Sequence, residues 1–293
     1  MSRPGAGPPA VPAPRGERPP LGEILRIAGS VTLYCALGGA ILGATYVATN
    51  RYQEAARAAA EHRSITQMLD LGPEAQVVEI RQYLDPARDQ VVYRAAPKGA
   101  ETGTQLTFAL SGQLLGRARA GLRGGEAEEG LKPLGRIFVA LQADTTTGFV
   151  IEGESRGYKN VVRFFVALDA AFDVLGVRVI EHEEDPGLGA EIATPWFQGQ
   201  YFGRTAEQVS TLDVVREPLP EDWRAALLEL QRLPPAQWRS RYGGLLEREA
   251  GRPVYAVTGA TISSRALTMG VRNTVNRFRY RWSLVSPLLG EKP

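Results

Sequence analysis

Val161-Val162-Arg163-Phe164-Phe165-Val166-Ala167-Leu168 and Val174-Leu175-Gly176-Val177-Arg178-Val179-Ile180-Glu181-His182 are joined by the short link Asp169 to Asp173. Both runs are rich in β-branched and aromatic side chains, which suit a pleated, packed surface. So short a link joins antiparallel strands, since parallel strands need a long crossover. The pair predicts a hairpin. Its second strand leads into Glu183-Glu184-Asp185-Pro186-Gly187-Leu188-Gly189-Ala190-Glu191. Pro-Gly and the second Gly force a tight turn whose backbone can lie against a flat ligand. Leu188 is the only bulky apolar side chain in that loop and is suited to cover one face of an aromatic ring. The plainer reading is an ordinary surface turn.

Working toward the N-terminus, Arg136 to Leu141 and Gly148 to Glu152 predict a strand pair around a polar turn. Val91-Val92-Tyr93 and Thr107-Phe108-Ala109-Leu110 also read as strands, and Gly121 to Gly130 as a Gly/Glu-rich loop. Toward the C-terminus, Glu221 to Leu233 is an amphipathic helix broken by Pro234-Pro235, and Gln237 to Ala250 is a second helical stretch. From Ser263 to Trp282, the residues Leu267, Val271, Val275, Phe278 and Trp282 recur on one stripe at helical spacing, which marks a core face. The expected class is α+β, an antiparallel sheet flanked by helices.

Just before that last helix stands Val254-Tyr255-Ala256-Val257-Thr258-Gly259-Ala260-Thr261-Ile262-Ser263-Ser264. Small residues let backbone N–H groups come close to a bound group. A helix start adds unpaired N–H donors and the positive end of a dipole. Together these describe a phosphate seat with the Thr261 hydroxyl inside it; a Ser/Thr-rich helix cap is the alternative.

Composition narrows the chemistry. Lys plus Arg number 34 against 32 Asp plus Glu, so the net charge of +2 argues against a nucleic-acid partner. One cysteine, Cys35, excludes an intramolecular disulfide and a cysteine-ligated iron–sulfur cluster. Two histidines, His62 and His182, are too few for most transition-metal sites. If the chain moves electrons, it needs an organic cofactor. Ile27 to Asn50 runs 24 residues without a charge, long enough to span a bilayer and too long for a signal-peptide core.

Thr258-Gly259-Ala260-Thr261 resembles the Ser/Thr-Gly-Ala-Thr motif of the FMN-binding domain family. That family includes the G-type subunit of the Rnf electron transport complex and the C-type subunit of the sodium-pumping NADH:quinone reductase. His182-Glu183-Glu184-Asp185-Pro186-Gly187-Leu188-Gly189 resembles the family's His-x-Glu-Thr-Pro-Gly-Leu-Gly motif, and Gly157-Tyr158 and Trp196 resemble further landmarks. The resemblance implies FMN bound covalently through a phosphoester to Thr261. Thr258, Gly259, Ala260, Ser263 and Ser264 would form the phosphate seat, with the amides of Ser263 and Ser264 partly neutralising the charge. Gly187, Leu188 and Gly189 would hold the isoalloxazine. Glu191 would hydrogen-bond the flavin or cap the following helix. His182 would be a structural strand-end residue or a proton donor. No catalytic acid or base and no metal is expected.

The same resemblance implies a single-pass protein of the bacterial inner membrane with its soluble domain on the periplasmic side. The expected order is a disordered cytoplasmic tail over 1–22, a transmembrane helix over 23–50 and a juxtamembrane helix over 51–71. A variable membrane-proximal part over 72–135 and an FMN-binding domain over 136–285 follow. The implied partners are the other membrane and Fe–S/flavin subunits of the complex, and a flavin transferase. Within the family, the G-type subunit is preferred to the C-type. Two departures stand out. Tyr255 occupies the place, six residues before Thr261, where the family usually has an Asp that forms part of the pattern read by the transferase. Asp185 replaces a Thr, and an Asp near the flavin would disfavour the anionic reduced forms and lower the potential. Tyr255 also motivates a reading from another class: a non-redox structural or sensory membrane protein that keeps the fold without covalent FMN.

Overall fold

A computed structural model describes residues 20–289 apart from 73, 98–99, 101, 122–129 and 144. The segment read as a tail lies outside the described residues up to 19, as does most of the Gly121–Gly130 loop. The chain divides into two compact units, residues 1–61 and 62–293.

In the first unit the described residues form one helix, α1 (Leu21–Met68), whose last turns belong to the second unit. The transmembrane and juxtamembrane helices expected separately are thus one continuous element, and it begins inside the segment read as tail. The most apolar part of Leu21–Asn50 has a mean hydropathy of 1.7, and the stretch is long and apolar enough to cross a membrane. At 1.5 Å per residue its 30 residues extend about 45 Å, more than a hydrocarbon core of about 30 Å requires.

The second unit is built on an eight-stranded antiparallel sheet. Its strands are β1 (Gln76–Asp85), β2 (Gln90–Pro97), β3 (Thr102–Ala109), β4 (Leu114–Gly121), β5 (Lys132–Gln142), β6 (Thr145–Arg156), β7 (Val161–Asp169) and β8 (Val174–Glu181). The spatial order is β4-β3-β2-β1-β5-β6-β7-β8. β1 pairs with β5, so the stretch before residue 136 and the stretch after it share one sheet. The hairpin β7–β8 is the expected one, with Val166 opposite Val177.

Phe164–Leu168 reads as a continuous apolar run because both faces of the sheet are covered there. On one face Phe164, Val166 and Leu168 meet Leu267, Val271, Val275 and Phe278 of α6 (Thr261–Leu289). On the other, Phe165 and Ala167 join Phe138 and Val150 under Ile65 at the end of α1. The helical stripe expected to be core is core.

Between β8 and α6 the chain forms short helices, α2 (Pro195–Gly199), α3 (Ala206–Ser210), α4 (Glu221–Glu229) and α5 (Pro235–Ala250). A two-stranded parallel sheet, β9 (Val214–Val215) with β10 (Val254–Tyr255), lies among them. Trp223, Trp238, Phe202, Leu227 and Tyr255 close a second core there, with Trp238 Nε1 donating to Ala226 O at 2.7 Å.

Candidate functional site

Two turns, far apart in sequence, meet beside the first residues of α6. The first follows β8. The Leu188 N–H donates to Asp185 O at 3.2 Å, which closes a turn with Pro186 and Gly187 at its centre. Gly187 has φ +71°, the left-handed backbone a type II turn requires at that position. A 3₁₀ turn, Gly189–Ala193, continues the chain into α2.

The second turn follows β10. Ala260 N–H donates to Val257 O at 3.0 Å, with Gly259 at φ +80°. Buried Gln200 fixes its approach. Its Nε2 donates to Tyr255 O at 3.1 Å and its Oε1 accepts from Tyr255 N at 2.8 Å, so one side chain satisfies a strand residue's two backbone groups. Arg204 is fully buried and holds the neighbouring chain: its guanidinium donates to Gln200 O, Ala250 O and Arg252 O at 2.8, 2.6 and 2.7 Å. Burial lowers its pKa to about 10.

The turns touch at two points. A Cβ added to Gly259 would stand 2.8 Å from Leu188 Cδ1, so the leucine lies directly on that glycine. The Glu184 carboxylate is buried, and its Oε2 accepts a short hydrogen bond from the Ser263 hydroxyl. Its Oε1 accepts from the Lys159 N–H at 3.1 Å. Two glycines make room for it. A Cβ on Gly157 would overlap Glu184 Oε1, and one on Gly189 would stand 2.7 Å from Oε2. This explains in steric terms why Gly157 and Gly189 belong with the motif.

Of the residues expected at the site, Thr261 is half-buried at the first turn of α6, and its hydroxyl makes no hydrogen bond to a described residue. Thr258 and Gly259 are exposed, and Ala260 is buried. The N–H groups of residues 261–263 precede the first intrahelical bond and point out of the helix end. Ser264 is different from what was expected. Its N–H already donates to Ala260 O at 3.0 Å, and its fully buried hydroxyl donates to Ala260 O and accepts from Val257 N. It staples the turn and has no donor left for a phosphate. The Ser263 hydroxyl is likewise committed to Glu184, which leaves only its amide.

Leu188 remains 42% exposed despite its contact, and neighbouring Ile262 is 59% exposed, so bare apolar surface flanks Thr261. His182 is half-buried, and its Nδ1 is buried with no hydrogen-bond partner. Glu191 is half-buried in the 3₁₀ turn. It does not cap α2, whose N-cap is Thr194, so of its two expected roles the capping one is gone. Asp185 carries a partner: Lys159 Nζ forms an ion pair with it, and that hydrogen bond raises the lysine's pKa. That ion pair offsets part of the Asp185 charge on which the expected lowering of the potential rests.

These observations fit FMN. A free hydroxyl, three outward amides at the start of a 29-residue helix, a glycine turn and an exposed leucine are the donor set for a phosphate and a planar ring. The buried, unpartnered His182 Nδ1 is a further polar atom in want of a partner.

Residues 157–276 match the family described as FMN-binding domain. The chain is 26% identical over 140 residues to the G subunit of the proton-translocating ferredoxin:NAD(+) oxidoreductase complex of Clostridium ljungdahlii, covering 48% of this chain and 58% of that one. It is 28% identical over 167 residues to the G subunit of an ion-translocating oxidoreductase complex of Cereibacter sphaeroides, covering 56% and 60%. The match thus spans about three fifths of the length of these relatives. Among solved structures, NqrC of Shewanella oneidensis aligns with a TM-score of 0.47 at 14% identity, over 80% of this chain and 99% of that one.

Proposed function

We propose, from the premise that residues 157–276 form an FMN-binding domain, that this chain is a membrane-anchored flavin subunit of an ion-translocating oxidoreductase complex of the Rnf type. In this reading the FMN is esterified through its phosphate to Thr261. The observation that carries it is the meeting of Leu188 with Gly259 beside an uncommitted Thr261 hydroxyl. The G-type subunit is preferred to the C-type because the relatives from Clostridium ljungdahlii and Cereibacter sphaeroides bear that name.

FMN, when bound, supplies one- and two-electron transfer chemistry. The chain's own residues hold and orient it. The amides of residues 261–263 and the helix dipole offset the phosphate charge. Leu188 and Ile262 offer apolar surface to the ring and keep water from it. In this reading the His182 Nδ1, the Glu191 carboxylate and the exposed Thr258 hydroxyl hydrogen-bond the cofactor. A phosphoester would keep FMN in place on the periplasmic side of the inner membrane, where α1 would anchor the chain. The partners in this reading are a flavin transferase and the Fe–S and flavin subunits of the complex.

The test is to produce the full chain together with a flavin transferase, denature it and look for in-gel flavin fluorescence. Intact mass should rise by FMN less one water, on the peptide that holds Thr261. Thr261→Ala should abolish both signals. An adduct that survives Thr261→Ala refutes the attachment site. Absence of any adduct in the parent chain favours the reading without covalent flavin that Tyr255 motivates.

A further inference from the structure

The far half of α6 covers a second groove. Arg277, on its lining, stands about 24 Å along the helix from Thr261, so this groove is separate from the glycine turns. Its volume of about 300 Å³ is at the lower end for small-molecule sites. Val91, Tyr93 and Phe108 of β2 and β3 form its floor, and Arg277, Arg281 and Leu284 form its wall. Two contacts bound it. Toward β1, Arg281 Nη1 donates to Gln82 Oε1 at 2.7 Å, and Gln82 stands opposite Tyr93 in the sheet. Toward the β3–β4 turn, a Cβ on Gly112 would stand 3.3 Å from both Leu284 Cδ1 and Tyr280 Oη, so that turn rests on the helix. A compact ligand fits between these contacts, whereas an extended peptide or an acyl chain would overrun them.

Tyr93 is the residue that points to a ligand. It is 4% exposed, and its ring is set edge-on against Phe108 with centroids 5.5 Å apart. Its hydroxyl makes no hydrogen bond with a described residue, although folds leave few buried donors unpaired. Burial raises its pKa and Arg281 opposes that rise, so the hydroxyl keeps its proton at neutral pH and remains a donor. Arg281 is half-buried, and the neutral Gln82 amide is its one described acceptor. No carboxylate stands among the described lining residues, and none acts on Tyr93. Arg277 is exposed and served by water, so it adds only long-range attraction. We propose that this groove binds a small aromatic monocarboxylate. Its ring lies on Val91, Phe108 and Leu284, and its carboxylate accepts from Tyr93 Oη and the Arg281 guanidinium. A phosphate would bring a further charged oxygen for which the lining has no buried donor.

The full chain in detergent is titrated with para-fluorobenzoate, with the neutral para-fluorobenzamide and with para-fluorophenyl phosphate, and binding is followed by fluorine NMR. The groove holds no part of the flavin turns, so the result is read with or without bound flavin. The benzoate should bind about tenfold more tightly than the benzamide, a difference of about 1.4 kcal/mol. Acetate in large excess should not displace it, because acetate lacks the apolar body. Tyr93→Phe removes only the unpaired hydroxyl, so circular dichroism and Tm should be unchanged while benzoate affinity falls about fivefold. Arg281→Gln should bring the benzoate down to the benzamide level; if that variant fails to fold, Tyr93→Phe decides. Absence of benzoate binding, equal affinity for acid and amide, or tighter binding of the phosphate would each overturn the proposal. So would displacement by acetate or undiminished benzoate affinity in Tyr93→Phe.

Discussion

Replacing Glu184 with alanine should loosen the joint between the two turns. The carboxylate is 4% exposed and accepts from two donors, the Ser263 hydroxyl and the Lys159 amide. The donors are not equivalent. Lys159 is exposed, so its N–H can return to water. Ser263 is 2% exposed, so its hydroxyl is stranded. A stranded buried donor costs about 1–3 kcal/mol, and this term dominates. Allowing for the relief of removing a buried charge, Glu184→Ala should cost about 2 kcal/mol. For a unit of this size that is a fall in Tm of roughly 4–8 °C. Adding Ser263→Ala removes the stranded donor, so the double variant should be more stable than the sum of the singles implies. The coupling energy should be about 1–2 kcal/mol. The assay is thermal and urea unfolding of the full chain by circular dichroism, in a complete double-variant cycle. A coupling no larger than the ~0.3–0.5 kcal/mol seen between independent sites would refute the argument, because the hydrogen bond would then contribute nothing.

Thr261→Ala should behave in the opposite way: its hydroxyl has no described partner, so unfolding should shift by no more than about 0.5 kcal/mol while the flavin adduct disappears. Gly259→Ala should damage both properties, since alanine at φ +80° is strained by about 1–2 kcal/mol and its methyl would displace Leu188; reduced flavin fluorescence together with a lower Tm is the expected result. Acid stability provides a fourth test. Asp85 and Asp222 have pKa values held below 3.8, chiefly by hydrogen bonds from Arg88 and Arg248. A depressed carboxyl stabilises the fold above its unfolded pKa, about 3.9, and loses that contribution as pH falls through the folded value. The Tm should therefore drop with a steeper slope below about pH 4, and Asp85→Asn with Asp222→Asn should flatten it.

What could be read from residues alone was set by period and by punctuation. The hairpin β7–β8 was legible because two β-rich runs flank a link too short for any other pairing. The buried stripe of α6 was legible because Leu267, Val271, Val275 and Phe278 repeat at one helical spacing. The order of strands was not legible. Nothing local in Gln76–Asp85 says that β1 will pair with Lys132–Gln142, because that choice is made by side chains that meet only after the chain has folded. The same limit hid part of the site. Gln200 is a polar residue after a short helix, and only the fold brings its amide to the Tyr255 backbone, 55 residues away in sequence. Glu184 lay within the Pro-Gly-Leu-Gly motif's approach, yet sequence could not show that its carboxylate, rather than the neighbouring one of Asp185, turns inward to Ser263.

Tyr255 shows why a departure from a motif needs the fold to be understood. As a letter it reads as the loss of a carboxylate six residues before Thr261. In the fold its ring is 3% exposed and belongs to the Trp223–Trp238 core, facing away from solvent. Its hydroxyl donates to Glu249 Oε2 at 2.9 Å and accepts from Arg252 Nη1 at 3.1 Å. A carboxylate is thus present in this region, buried, supplied by the preceding helix and bound by Arg248 through a further 2.8 Å contact. An aspartate at 255 would have to share that enclosed space with Glu249, and two adjacent buried carboxylates repel unless one is protonated. The aromatic residue avoids that conflict and adds core surface. Tyr255 and Glu249 are therefore one structural choice, and restoring Asp at 255 alone would destabilise this core before it could restore any surface for a partner to read.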